Sequence, residues 1–158
     1  MEDNMQYTNF KESVVRGTFA FPIEIYHLNL FHPQYNMAFH WHLDYEIIRI
    51  LEGSFFYTIN NQKGVAKKGD ILFISSGMLH MGLPENCVYE CIVFDINMLL
   101  QKDNSSLSLL QKFYNGSYTI DYFLPQSDKE LKRSVNSLFD AMSQKSEGYQ
   151  LITFGSLY

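Results

Sequence analysis

The sequence is poor in cysteine, proline and positive charge. Its 158 residues include only 2 Cys and 4 Pro, and 12 Lys and Arg stand against 17 Asp and Glu, a formal net charge of −5. This balance argues against a chain that itself grips a phosphate backbone, which requires clustered positive charge. No apolar run approaches the roughly 20 residues that cross a bilayer. The acidic, polar residues 1–6 predict no signal peptide.

The two cysteines, Cys87 and Cys91, are not expected to form a disulfide. If they lie on one strand, the four-residue spacing at about 3.3 Å per residue holds them roughly 13 Å apart. That distance is beyond the reach of a disulfide. With 7 Met and no plausible bridge, we expect the chain to reside in a reducing cytoplasm.

What the sequence does contain is a succession of short strand-like segments. They run from residue 21 to 96 and are separated by Gly, Asn and Asp turns, a spacing typical of a sandwich or barrel. The 13 Phe and 11 Tyr favour strands, and strands do not alternate with helices as in a parallel α/β sheet. The length suits one domain with a real core.

After residue 96 the pattern becomes helical. Segments 97–102 and 105–116 read as short helices, and Ser127 with Glu130 has the spacing of a capping box before a helix over 128–146. An apolar stripe on that helix either packs on its own sheet or forms a dimer seam. Because the last segment stops without a cap or polar tail, we expect the chain to be a fragment of a longer protein. The stripe consists of Leu131, Val135, Leu138, Phe139 and Met142.

The stretch HWHLDYEIIRILEG, residues 40–53, concentrates ionisable groups in a strand-like run. On a strand His40 and His42 share a face, and two adjacent imidazoles suit a Zn, Fe, Ni or Mn site. A straight strand would hold the Cα atoms of His42 and Glu46 about 13 Å apart. Metal donors lie near 2.1 Å from the ion, so the two side chains could not reach one metal. A shared site therefore requires a bend at residues 43–45. The turns before His80 are expected to place its side chain beside His40 and His42.

The segment that follows suggests a hairpin with a two-residue loop beginning at Gly53. In that register Ile50 faces Tyr57. The side chains of Phe55, Tyr57 and Ile59 would then share the face that carries the histidines. Such an aromatic and aliphatic hollow with a polar end is typical of a small-molecule pocket.

Three interpretations of the polar cluster remain open. It is a divalent metal centre, the polar end of an effector pocket, or a structural cluster in which Glu46 hydrogen-bonds an imidazole. The candidate ligand-binding residues are His40, His42, Glu46, Tyr57 and His80. The candidate metal ligands are His40, His42, Glu46 and His80, for Zn, Ni, Fe or Mn.

Two spacings resemble the cupin motifs. His40-x-His42-x3-Glu46-x6-Gly53 resembles the first motif, and Gly69-x5-Ser75-x-Gly77-x2-His80 resembles the second. In metal-binding cupins the matched histidines and glutamate are the ligands, so the resemblance implies the ligand set His40, His42, Glu46 and His80. Three positions depart from the motifs: Gln34, Ser75 and Pro84 stand where a glycine, a proline and an asparagine are expected.

A longer resemblance points to one branch of the cupins. FHWHLDYEIIRILEGSFFYTINNQ, KKGDILFISSGMLH and CIVFDINML, followed by two helical segments, resemble the N-terminal sensor domain of AraC-type bacterial transcription factors over roughly residues 20–158. The resemblance implies a mostly β, cupin-like double-stranded β-helix (a jelly-roll barrel) with an N-terminal arm over 1–126, then a helical dimerisation segment over 127–158. It also implies that a DNA-binding helix–turn–helix half is missing, since none is found in the sequence.

The resemblance predicts an effector-sensing module rather than an enzyme. It would bind a small metabolite such as a sugar, form a homodimer through helix 128–146, and meet DNA only through the missing domain, with no membrane partner. The alternative is a free-standing metal-dependent cupin enzyme, a dioxygenase or isomerase, because three nitrogen donors and one carboxylate leave open coordination positions. A third possibility is a structural dimerisation module whose hollow is packed shut.

Overall fold

The computed structural model describes residues 9–99, 104–115, 117–118, 120–124 and 128–158. A short 3-10 helix, Ile96–Leu99, separates the main strands from the later elements. The strands are β1 (Ile23–Leu28), β2 (Met37–His40), β3 (Tyr45–Ile59), β4 (Gln62–Lys67), β5 (Ile71–Ile74), β6 (His80–Phe94) and β7 (Phe123–Leu124), and the helices are α1 (Asn104–Tyr114), α2 (Lys129–Gln144) and α3 (Tyr149–Leu157).

The two 15-residue strands β3 and β6 form the spine of an antiparallel sheet. They pair from Tyr45 opposite Phe94 to Ile59 opposite His80. β1 and β5 flank one half of this ribbon, whereas β2 and β4 flank the other half. The register shifts between Ile50 and Ser54, where the two halves meet. The arrangement confirms the predicted cupin-like double-stranded β-helix followed by helices.

The predicted hairpin at Gly53 is wrong. β3 continues through this glycine, whose φ of 72° accommodates a β-bulge instead of a turn. The chain reverses at Asn60 and Asn61, which adopt φ values of 45° and 68° and join β3 to β4, as a two-residue turn with left-handed residues requires. Tyr57 therefore pairs with Gly64 and Gly82, not with Ile50.

The sheet is covered on both faces in its first half. Inside, side chains from both halves pack together around Phe55, Tyr89 and Ile48. Outside, the opposite face of β1, β3 and β6 packs against α2 through Val135 and Leu138. This packing on both faces explains why β3 is nearly continuously buried between residues 45 and 50.

The long C-terminal helix is confirmed, with a different start. Its N-cap is Asp128, whose side chain accepts a hydrogen bond from the Leu131 N–H, while Ser127 lies outside the described residues. The helix ends at Gln144, two residues earlier than predicted. Its apolar stripe packs on its own sheet, where Leu138 and Phe139 are 1% and 0% exposed. The stripe is therefore not available as a dimer seam.

The remaining elements agree in part with the sequence patterns. α1 covers most of the predicted 105–116 helix, whereas the predicted 97–102 helix is a 3-10 turn that ends at Leu99, with residues 100–103 outside the described part. The expected boundary between residues 126 and 127 also lies outside it. Cys87 and Cys91 are buried and unbridged, as predicted. Within the described residues, no helix is long and apolar enough to span a membrane.

Candidate functional site

Four side chains predicted to form one cluster do come together. His40 ends β2 and lies opposite His80, the first residue of β6. The chain then bends at residues 43 and 44 before β3 begins, as the distance argument required. The bend brings His42 Nε2 within 3.2 Å of Glu46 Oε2, a contact that the Cα–Cα separation of about 13 Å in a straight strand would prevent. The Gly77 N–H donates to the His42 carbonyl at 2.8 Å and helps to hold the bend.

Glu46 is the centre of this cluster. Its Oε2 atom lies 3.2 Å from the Nε2 atoms of both His42 and His80. The three residues are almost wholly buried, at 2%, 2% and 1% exposure for Glu46, His42 and His80. His40 completes the group, with its ring centroid 4.2 Å from that of His80. A carboxylate so far from solvent requires a compensating positive charge or hydrogen-bond donors.

The three imidazole rings are oriented in the same way, each by a hydrogen bond to a backbone carbonyl. Each Nδ1 lies 2.8–3.0 Å from a backbone carbonyl, that of Ala38 for His40, Asp44 for His42 and Met78 for His80. A carbonyl can only accept, so each Nδ1 carries the proton and donates it. In the neutral rings every Nε2 therefore presents a lone pair, and this outer hydrogen bond is the one that fixes metal-binding histidines.

This donor set fits a divalent metal. One donor atom from each of the four residues lies within 4.8 Å of all the others. Two donors at about 2.1 Å from one ion can be at most about 4.2 Å apart, so a contraction of some tenths of an ångström suffices. Without a cation, Nε2 lone pairs would face the Glu46 carboxylate unless additional protons made the imidazoles cationic. Three imidazoles and one carboxylate suit Zn, Fe, Ni or Mn.

The electrostatics of the metal-free cluster follow from burial and pairing. Burial would raise the pKa of Glu46, but hydrogen bonds from His42 and His80 outweigh it and hold the pKa well below its usual range. Burial opposes the charge on His80, yet the bond to Glu46 raises its pKa. Burial, together with repulsion from His80, lowers the pKa of His40. Within the cluster, these shifts favour a charged imidazolium on His80, a neutral imidazole on His40 and a carboxylate on Glu46.

A cavity of about 280 Å³ opens beside the cluster. His40 and Glu46 form its polar end, and aromatic rings and the Cys91 thiol, whose pKa burial raises well above the ordinary value, form its inner wall. This combination of apolar wall and few polar groups is typical of small-molecule sites. The cavity is lined by Glu12, Arg16, Tyr26, Leu28, Gln34, Asn36, Met37, Ala38, His40, Glu46, Tyr89 and Cys91.

The N-terminal arm closes one side of this cavity. Its backbone pairs with Trp41, since the Trp41 N–H donates to the Phe10 carbonyl and the Glu12 N–H donates to the Trp41 carbonyl. Arg16 forms ion pairs with Glu12 and, at 2.9 Å, with Asp44. The Glu12 carboxylate lies 3.9 Å from His40 Nε2. The arm is thus joined to the segment that carries three of the four cluster residues.

The family model for the AraC-like ligand binding domain matches residues 23–158. The chain belongs to this family. The AraC-like domain is 27% identical, over 151 residues, to an uncharacterized HTH-type transcriptional regulator of Bacillus subtilis, YdeC. That match covers 90% of this chain and 51% of the relative, so the chain spans about half the length of the regulator it resembles.

One solved structure supports the fold of the AraC-like domain, and a second is similar to part of it. An apo ToxT variant from Vibrio cholerae superposes with a TM-score of 0.52 at 16% identity, over 89% of this chain and 55% of ToxT. An RmlC-like cupin with a double-stranded β-helix fold from Methanocaldococcus jannaschii superposes with a TM-score of 0.41 at 17% identity, over 51% of this chain and 76% of that one.

Tyr57 is separate from the rest of the predicted site. In the AraC-like domain it lies inside the barrel, but its ring contacts Tyr122 and Phe123. It is not among the described residues that line the cavity beside Glu46. Its predicted ligand-binding role rested on the hairpin register that the structure contradicts.

Sequence reasoning did not identify the two residues of the N-terminal arm that line the cavity. Glu12 and Arg16 line the cavity, yet neither belongs to a strand pattern or a family motif. The available signal was their opposite charge at a spacing of four residues, which alone predicts only a local ion pair. Their position at the site depends on the pairing of the arm with Trp41 and on the contact between Arg16 and Asp44, which lies 28 residues further along the chain.

Proposed function

We propose that this AraC-like domain is the effector-sensing half of a transcriptional regulator, and that the cavity beside His40 and Glu46 is its effector site. The observation that carries the proposal is the cavity itself, which joins the buried cluster to the N-terminal arm. A molecule bound there contacts both. An effector that prefers one arrangement of the arm shifts the population of that arrangement.

The walls of the cavity favour a small, polar, oxygen-rich effector such as a sugar or a related metabolite. Glu12, Gln34 and Asn36 supply acceptors and amide donors, while the Tyr26 and Tyr89 rings supply apolar surface. About 280 Å³ is close to the lower end of the range for small-molecule pockets. The proposed contacts at the polar end are His40 and Glu46, with His42 and His80 holding Glu46 in place.

We further propose that the cluster holds a divalent metal through His40, His42, Glu46 and His80. When bound, such an ion supplies a Lewis-acidic contact for an effector oxygen at the polar end of the cavity. The Nδ1 bonds of the three histidines would keep their Nε2 atoms aimed at it. The protein's own contribution is to orient the donors and to exclude water from them.

The test is isothermal titration calorimetry of the chain against a panel of sugars and polyols, before and after loading with Zn, Mn, Ni or Fe. The variant His42→Ala with Glu46→Ala should lose metal and effector binding. His32→Ala, outside the cavity, is the matched control and should lose neither. Unchanged effector affinity in the double variant would contradict the proposed site.

The proposed partners are tested separately. Reading the gene past the codon for Tyr158 should reveal two helix–turn–helix segments; a stop codon there would contradict the regulator proposal and favour a metal-dependent enzyme, a dioxygenase or isomerase. Oxygen uptake and product analysis of the metal-loaded chain test that alternative directly.

Homodimer formation is proposed through the outer surface of α2 and α3, because the stripe of α2 is occupied by its own sheet. Leu151 and Ile152 are 77% and 46% exposed on α3. Ile152 lies beside the groove that the polar side chains of α2 line. Ile152→Glu should therefore shift sedimentation from dimer to monomer, whereas Val65→Glu, an exposed position on β4, should not.

A further inference from the structure

A second cavity lies on the opposite side of the sheet from the histidine cluster. Its volume is about 340 Å³, and it is bounded by the outer face of the sheet, through Ile47 and Phe94, and by the helices, through Leu110, Val135 and Leu138. These five side chains are all at most 8% exposed. The cavity therefore lies in the packing between barrel and helices, it reaches the surface beside the exposed Tyr158, and the sheet separates it from the effector cavity.

The side chains that line this cavity determine which kind of molecule it can bind. Among the described residues no charged side chain lines it, and nearly all the lining side chains are hydrocarbon or aromatic. Protein interiors tolerate few voids larger than a water molecule. A cavity of about 150 Å³ lined by Leu, Ile and Phe stays dry and binds benzene. This cavity is about twice that size, so water is a poor occupant and a two-ring molecule is a good one.

The polar part of the wall consists of hydroxyl groups. Tyr45 lines the cavity and is 7% exposed, and Ser134, Ser156 and Tyr158 also belong to the lining. The Tyr158 hydroxyl already donates to the Leu99 carbonyl. A hydroxyl both donates and accepts a hydrogen bond, so a ligand oxygen in the cavity can pair with that of Tyr45.

We propose that the cavity between the sheet and the C-terminal helices is a second ligand site, for an uncharged and mostly hydrocarbon or aromatic molecule that carries one hydrogen-bonding oxygen. The oxygen pairs with the Tyr45 hydroxyl, and the body of the molecule packs between Ile47 and Val135. An ionised ligand is excluded because its charge would be buried without a counter-charge.

The test uses naphthalene and 2-naphthol, which differ by a single hydroxyl, in titrations followed by calorimetry or ligand fluorescence. Both should bind the unmodified chain, with 2-naphthol tighter. Tyr45→Phe removes only the hydroxyl: it should weaken 2-naphthol by about three- to tenfold and leave naphthalene unchanged. Val135→Phe, verified as folded by circular dichroism, should abolish binding of both by filling the cavity.

His40→Gln tests which cavity binds the two probes. It alters the effector cavity alone, so it should leave the affinities for naphthalene and 2-naphthol unchanged. Three results would overturn the proposal: no binding of naphthalene to the unmodified chain, equal affinity for 2-naphthol with and without the Tyr45 hydroxyl, or loss of naphthalene binding in His40→Gln. The last result would place the probe on the other side of the sheet.

Discussion

Arg49 of β3 donates a 2.7 Å hydrogen bond from Nε to the Glu90 carboxylate of the neighbouring strand β6. The same guanidinium donates to Asn136 of α2 at 3.1 Å and lies over the Phe139 ring. Arg49 has the opposite strand parity from Glu46, so this pair occupies the face of the sheet turned away from the cluster. It therefore joins the barrel to the helix that follows it.

Breaking this pair should destabilise the domain. The side chains of Arg49 and Glu90 are 14% and 8% exposed, so Arg49→Met leaves a mostly buried carboxylate without its main partner. We expect a loss of about 2 kcal/mol in the free energy of unfolding, measured by urea denaturation. Arg133→Met, an exposed position on α2, should change it by less than about 0.5 kcal/mol. Equal effects of the two substitutions would contradict the role of the pair.

Two glycines with the same backbone conformation should respond very differently to alanine. Gly53 and Gly77 have φ values of 72° and 77°, but a Cβ on Gly53 would lie 2.0 Å from the Asn86 carbonyl oxygen, whereas one on Gly77 meets nothing within 4 Å. Gly77→Ala should cost about 1–2 kcal/mol through its backbone conformation alone. Gly53→Ala should cost clearly more, because the bulge must also move away from β6. Thermal and urea unfolding of both variants measures the difference.

The contrast between Gly53 and the residue 43–44 bend shows what the sequence can predict. The bend follows from arithmetic: His42 and Glu46 cannot reach one point along a straight strand. A lone glycine in an apolar run is ambiguous, because left-handed φ serves a bulge as well as a hairpin turn. The decision at Gly53 came from pairing with β6, about thirty residues further along the chain, which no local pattern contains.

The residues of the candidate site also differ in whether the sequence alone could predict them. The types and spacing of His40, His42, Glu46 and His80 marked them in the sequence, and the structure brings all four together. Glu12 and Arg16 were not marked, because their position depends on the arm pairing with Trp41. Residues tied to a local motif were therefore predictable, whereas those brought in by long-range pairing were not.

The bond between His80 and Glu46 should make the stability of the metal-free domain fall as the pH rises through neutrality. The pKa of His80 is raised in the folded state by this bond, so its contribution is fully present below the unfolded value of about 6.5 and is lost as the pH rises through the folded value. The lowered pKa of His40 acts in the opposite direction in the same range, so the measurement uses His40→Gln, in which that group no longer titrates. Urea denaturation of this variant in the presence of a chelator should show lower stability at pH 8 than at pH 6.

Glu46→Gln is the control for this pH dependence. The amide cannot stabilise the His80 imidazolium by charge, so the difference between pH 6 and pH 8 should shrink. Zinc or manganese should reverse the trend in the unmodified chain, since neutral imidazoles bind metal better at higher pH. A pH dependence that persists in Glu46→Gln would assign it to another group.

Release of the N-terminal arm should be measurable by proteolysis. Asp44→Asn removes a carboxylate that lies 2.9 Å from Arg16, while Glu12 and the backbone pairing with Trp41 remain. We expect several-fold faster trypsin cleavage after Lys11, because cleavage tracks the population of the undocked arm. Glu85→Gln, an exposed position on β6, should leave the rate unchanged. If Asp44→Asn is cleaved no faster than the unmodified chain, the ion pair between Arg16 and Asp44 does not hold the arm in place.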